Sequence, residues 1–150
     1  MRAVLWVPGK FSLTNKMLDN LRAGSRYQGA RPPCGWVNMF EQETAAIRLA
    51  VKTAARREAA DVVSAGPCRV GFVVFGHHKH DRDAWYLLGK AALDGLVDAG
   101  VFTSDRFGVE STHGWVLRNS TEEANARCAL DDVVPEGRPG LAIELRWGDL

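Results

Sequence analysis

The feature that most constrains the fold is a change of period in the middle of the chain. Arg69–Phe75, RVGFVVF, is an apolar β-rich run behind Gly66-Pro67, the length of one strand. After HHKH, the apolar residues switch to helical spacing from Asp83, with Trp85, Leu88, Ala92 and Leu96 on one face. Asp98-Ala99-Gly100 closes that helix, with Gly100 where a left-handed residue after the helix is wanted. A strand feeding a helix in this way calls for a sheet with helices laid on it.

The flanking segments extend the pattern. Ala3–Val7 reads as a short buried strand ended by Pro8-Gly9. A long polar connection, residues 9–37, separates it from a first helix expected over Met39–Ala60. Asn38 is the expected N-cap with Glu41 three residues on, and Phe40, Thr44, Ile47, Val51 and Ala54/Ala55 form the apolar stripe. Its polar face carries Arg48, Lys52, Arg56 and Arg57, which suit solvent or a DNA backbone. Val109–Arg118 and Leu141–Trp147 are two further strands, and in the second Leu141, Ile143, Leu145 and Trp147 alternate onto one face. The acidic stretch 119–138 is read as the loop between them. The expected order is β-α-β-α-β-β with the final strands adjacent: an α+β domain, residues 1–150, with two main helices packed on a mixed sheet.

Bulk properties bound the function. With 150 residues, 46% hydrophobic and 25% charged, the chain can bury one core without staples, which excludes a disordered or disulfide-built class. Cys34, Cys68 and Cys128 are odd in number and lack C-x-x-C spacing, so neither a disulfide framework nor a zinc knuckle is expected. The opening MRAVLWVPGKF is broken by Pro8-Gly9, and no later apolar stretch has spanning length; a soluble cytoplasmic protein is expected.

Charge is unevenly spread. Residues 1–31 carry Arg2, Lys10, Lys16, Arg22, Arg26 and Arg31 against Asp19, a net +5. Residues 119–138 are net −3, so a polyanion is drawn to the first region and repelled by the second. A basic solvated loop fits the same composition.

The chemistry-bearing residues lie between the central strand and its helix. Asp81 and Asp83 stand at i and i+2, which in extended chain points both carboxylates to one side. Such a pair repels itself unless a cation lies between, and oxygen-only ligands suit Mg²⁺ or Mn²⁺. Lys90, seven residues after Asp83, lies nearly two helical turns on and on the same face, where it can meet a phosphate. Asp105, in the loop after Gly100, is the candidate third carboxylate. Structural roles fit these residues too: Asp83 as N-cap, Asp81 at the positive helix end, Lys90 paired with Asp94. His77, His78 and His80 have no separated His or Cys partner for zinc, since His113 stands alone; they read as a cationic rim.

Asp81-Arg82-Asp83-Ala84, Lys90, Asp94-Gly95-Leu96, Gly100 and Ser104-Asp105 together resemble the RusA family of Holliday junction resolvases, in its actinobacterial and phage form. The resemblance covers about residues 70–118. It implies a homodimer that binds four-way DNA junctions and nicks two strands symmetrically with Mg²⁺, in a bacterial cell or a phage-infected host. It further implies that Asp81, Asp83 and Asp105 are the metal-binding catalytic acids and Lys90 the essential cation. Lys10, Lys16, Lys79, His80 and Arg82 are the side chains expected to meet DNA. Ala84 stands where the family has Asn, and Ser104 where it has the first of two acids. Two other functions stay open: a non-catalytic binder of branched DNA, favoured by Ala84, and a less selective metal-dependent nuclease of flaps or forks. Trp36, Trp115 and Trp147 are candidates for a dimer surface or for the core.

Overall fold

Alternation and helical stripes become seven elements in a computed structural model that describes residues 2–11, 34–58, 68–76, 85–101, 109–116, 120–130, 133–135 and 137–147. They are β1 (Arg2–Pro8), α1 (Cys34–Glu58), β2 (Cys68–Phe75), α2 (Tyr86–Asp98), β3 (Val109–Val116), α3 (Ser120–Ala129) and β4 (Gly140–Trp147). The sheet order is β1-β4-β2-β3. β4 pairs antiparallel with β1 on one side and β2 on the other, and β3 joins β2 in parallel. The α+β class and the mixed sheet expected from the sequence are thus present.

The two sheet faces divide the strand residues by parity. Leu5 and Val7 of β1, Val70, Phe72 and Val74 of β2, and Leu141, Ile143, Leu145 and Trp147 of β4 enter the main core. There they meet Ile47, Val51, Ala54 and Ala55 of α1 and Trp85, Leu88, Ala92 and Leu96 beside and along α2. Each large side chain fully buried in such a core contributes on the order of 1.5–3 kcal/mol. The other face holds a smaller cluster of Phe75, Ala142, Leu130 and Val134, with Val4, Trp6, Val73 and Ala126 packed on it. Small residues on the central strand make this cluster possible. A Cβ at Gly140 would lie 2.5 Å from the Trp6 ring, so glycine there lets the indole lie flat and meet Phe75 edge-on at 5.9 Å.

The helix ends have local causes. α2 stops in a Schellman motif: Val101 N–H donates to Leu96 O (3.1 Å) and Gly100 N–H to Val97 O (3.0 Å). Gly100 takes φ +79°, and buried Val101 folds back into the same core as Leu96. At its start the expectation fails. The helix begins at Tyr86, not Asp83, and its capping position is Trp85, which makes no side-chain capping bond. The Trp85 side chain at this end is buried in the main core, 1% exposed. α1 also begins earlier than expected, at Cys34, so Asn38 lies inside the helix rather than capping it. Asparagine costs only a fraction of a kcal/mol within a helix, on the order of 0.7 at most. The sequence has no true helix stop before Pro32-Pro33.

Two further expectations are corrected. Residues 120–129 within the acidic stretch are helical, not loop. Alanines at 124, 126 and 129 and the Glu123–Arg127 pair at i,i+4 favour a helix. The final strands are not neighbours either, because β2 lies between β3 and β4. A helix-length crossover joins parallel strands, and β2-α2-β3 forms that unit, while β4 fills the space between β2 and β1. Among the described residues no helix is long and apolar enough to cross a membrane.

Candidate metal and nucleic-acid site

The register of the sheet decides which ends lie together. Phe75 pairs with Gly140, and Gly140 with Pro8, so β2 and β1 finish at the same end. Gly9 N–H there donates to Pro139 O at 3.1 Å, and Lys10 follows, exposed. The chain leaves β2 at this Phe75 end, and residues 77–84 connect it to Trp85 and α2. Lys90 is the fifth residue of α2, about 6 Å along the axis from Tyr86. Its side chain is nearly half exposed, and the ammonium donates to Asp94 Oδ1 at 2.9 Å. That orientation, cation before anion along the helix, is the weaker one, and an exposed pair of this kind is worth only a few tenths of a kcal/mol.

The carboxylates themselves, Asp81, Asp83 and Asp105, lie outside the described residues, as do Lys16, Lys79, His80 and Arg82. What the described elements give is their attachment points. α2 has Trp85 at its capping position, and Asp83 lies outside the described residues. The parallel pairing of β2 and β3 sets Val109 beside Cys68 and Val116 beside Val74. Residues 102–108, with Asp105, thus join β3 at the Cys68 end, while 77–84 leave β2 at the Phe75 end. The strands between are eight residues long, about 23 Å. Among the described residues no group of three His, Cys, Asp or Glu is gathered to hold a metal.

Several charges expected to face solvent or DNA have partners within the protein. Arg48 Nε donates to Asp98 Oδ2, and its Nη2 donates to Oδ1 at 2.8 Å, joining α1 to the end of α2. The hydrogen bond from Arg48 holds the Asp98 carboxyl below the usual carboxylate range, with Lys52 and Arg56 adding to the effect. Arg2 bonds Glu144 at 2.8 Å and the carbonyl of Ala129 at 3.0 Å, so it ties β1 to β4 and α3. Trp147 is buried in the main core, which removes it as a dimer contact, and the side chains of Trp36 and Trp115 are outside the described ones.

Sequence reading missed Arg127. Its guanidinium, 9% exposed, lies 4.5 Å over the Phe75 ring and donates to the carbonyls of Pro135 and Arg138, the latter at 2.7 Å. Glu123 accepts from it at 3.4 Å and from the backbone N–H of Gly76 at 3.1 Å. The only sequence sign was the i,i+4 spacing of Glu123 and Arg127. On the same outer face, nearer the Cys68 end, a cavity of about 380 Å³ is lined by Arg69, Gly71, Val73, Leu130, Glu144 and Arg146. No family model matches this chain, and no curated protein or solved structure does.

Proposed function

We propose that this chain is a Mg²⁺-dependent endodeoxyribonuclease of the RusA type, acting as a homodimer that resolves four-way junctions by paired symmetric nicks. The observation that carries the reading is convergence at one end of the sheet. Exposed Lys10 and the chain's exit from β2 toward Asp81 and Asp83 lie at the Phe75 end, and α2 with Lys90 follows that exit in sequence. A polyanion approaching that end meets Lys10, and the sequence adds Lys79, His80 and Arg82 in the connection that leaves β2. Asp81, Asp83 and Asp105 are the residues that would hold the ion, an all-oxygen set suited to Mg²⁺ or Mn²⁺. A bound ion there supplies a water of lowered pKa and neutralises charge on the phosphate. Lys90 offers its ammonium to a phosphate oxygen, where charge develops as the bond breaks. Two symmetric cuts need two equivalent sites, which a two-fold homodimer provides.

A second reading is favoured by the parallel β2–β3 register. Asp105 attaches at the opposite strand end from Asp81 and Asp83, so a complete triad requires the two connections to span that distance. If they do not, the chain is a binder of branched DNA, or a less selective flap or fork nuclease using Asp81 and Asp83 alone.

Purified protein is incubated with a synthetic four-way junction and a matching linear duplex, with and without Mg²⁺. Symmetric paired nicks on the junction alone, abolished in Asp83→Asn with binding retained, are the expected result. Loss in Asp105→Asn as well supports the triad. Tight junction binding with no cleavage in Mg²⁺ or Mn²⁺ selects the binder. No binding of either DNA at low salt, where phosphate contacts are strongest, ends the nucleic-acid reading.

A further inference from the structure

We infer that Glu123 is a positioning residue which, held by Arg127, fixes the point at which the chain leaves β2 toward Asp81 and Asp83; this rests on reading those aspartates as metal ligands. The Glu123 carboxylate receives the Gly76 N–H at 3.1 Å, forty-seven residues away in sequence. Gly76 is the first residue past β2, and its N–H, a donor that needs an acceptor, finds one in this carboxylate. On its other side a Cβ at Gly76 would lie 2.7 Å from Pro139 Cβ, so the backbone is closely packed there.

Glu123 is itself held in place. Arg127 lies one turn on along α3, and its guanidinium is fixed by the carbonyls of Pro135 and Arg138 and by the Phe75 ring beneath it. A guanidinium so enclosed has few orientations, and a carboxylate paired with it shares that restriction. The chain of contacts runs from α3 through Arg127 and Glu123 to Gly76, and every member except Gly76 lies outside the connection it would steady. A purely structural role asks only that α3 stay on the sheet, and Ala126, Leu130 and Phe75 already hold it there. The bond to Gly76 adds control over the backbone at the base of residues 77–84.

The test compares full-length wild type, Glu123→Gln and Glu123→Ala. The amide carbonyl of Gln still accepts from Gly76, whereas Ala removes the acceptor. Hydrogen exchange at the Gly76 amide should quicken about ten- to a hundredfold in Glu123→Ala, the scale of losing a bond to a charged acceptor. In Glu123→Gln it should stay near wild type. Mn²⁺ affinity, measured on protein without DNA, should weaken in Ala and be rescued in Gln. The single-turnover cutting rate on saturating junction should follow the same order, with KM unchanged. Unaltered Gly76 exchange in Glu123→Ala overturns the inference. So does faster exchange with wild-type Mn²⁺ affinity and cutting rate. A wild type that neither binds Mn²⁺ nor cuts overturns the aspartate reading and the positioning role with it, and is recognised because Gly76 exchange still responds to the substitution. Should Glu123→Ala not fold, Glu123→Asp, one methylene short of Gly76, carries the same comparison.

Discussion

Gly95 of α2 faces the backbone carbonyl of Arg48 in α1 so closely that a Cβ at position 95 would stand 2.6 Å from that oxygen. Val51 Cβ would be 2.9 Å away. The two helices meet backbone to backbone here, and Gly95→Ala must force them apart. Overpacking of this kind costs about 1–3 kcal/mol, against roughly 1 kcal/mol gained in helix propensity. A net loss is expected, seen as a lower urea midpoint at constant slope. Gly89→Ala is the control: its Cβ would touch the Phe72 ring at an ordinary 3.8 Å, so the propensity gain of about 0.5–1 kcal/mol should stabilise. Equal shifts in both variants would show that the close approach is not what matters.

Lys90→Ala separates chemistry from stability. The Lys90–Asp94 pair is exposed and wrongly ordered along the helix, so its loss should move stability by no more than about 0.5 kcal/mol. Junction cleavage should fall by about a hundredfold or more if the ammonium meets the scissile phosphate. A variant that cuts at the wild-type rate removes Lys90 from the mechanism.

Asp98 gives stability a defined pH dependence. Its hydrogen bond from Arg48 lowers the native pKa, so its contribution is present above the unfolded carboxylate value, about 3.9, and is lost as pH falls through the native one. Wild type should therefore exceed Asp98→Asn in stability at neutral pH, with the gap closing below about pH 4. Added salt should narrow it, since the pair is exposed. A gap that persists unchanged into strong acid contradicts the assignment.

The cysteines should react in sequence. Cys128 is exposed, whereas burial pushes the Cys68 thiol up to about 11. An aromatic disulfide reagent at mildly alkaline pH should modify Cys128 at once and Cys68 only on unfolding, as peptide mapping would reveal. Prompt modification of Cys68 in the native protein would mean that β2's first residue is not closed off.

The legible parts of the fold were those carried by local period. Leu141 to Trp147 alternates in sequence and lies in the main core as that pattern requires, and Gly100 ends α2 as its position suggested. Strand partners are not local. Nothing in Val109–Val116 tells it to pair with β2 rather than with β4, and α3 was hidden because its acidity resembled a loop's. Lys10 and Lys90 were named as candidates from charge and spacing. Arg127 was not, because two of its partners are the backbone carbonyls of Pro135 and Arg138, which leave no mark in a sequence. The start of α2 shows the limit from the other side: the capping position falls on Trp85, a buried indole that offers no capping oxygen for a sequence rule to find.

β4 follows the other strands in sequence yet lies between β1 and β2, which do not touch each other. During synthesis β1 has no neighbour in the sheet until Gly140–Trp147 has cleared the ribosome, some 130 residues after it. β2 can hold β3 through the α2 crossover before then, so half the sheet can assemble early while the other half waits. A nascent chain stalled short of residue 140 would display the β2 edge and the apolar face of β1 together, and it is at that stage that the protein is most exposed to aggregation and to chaperones.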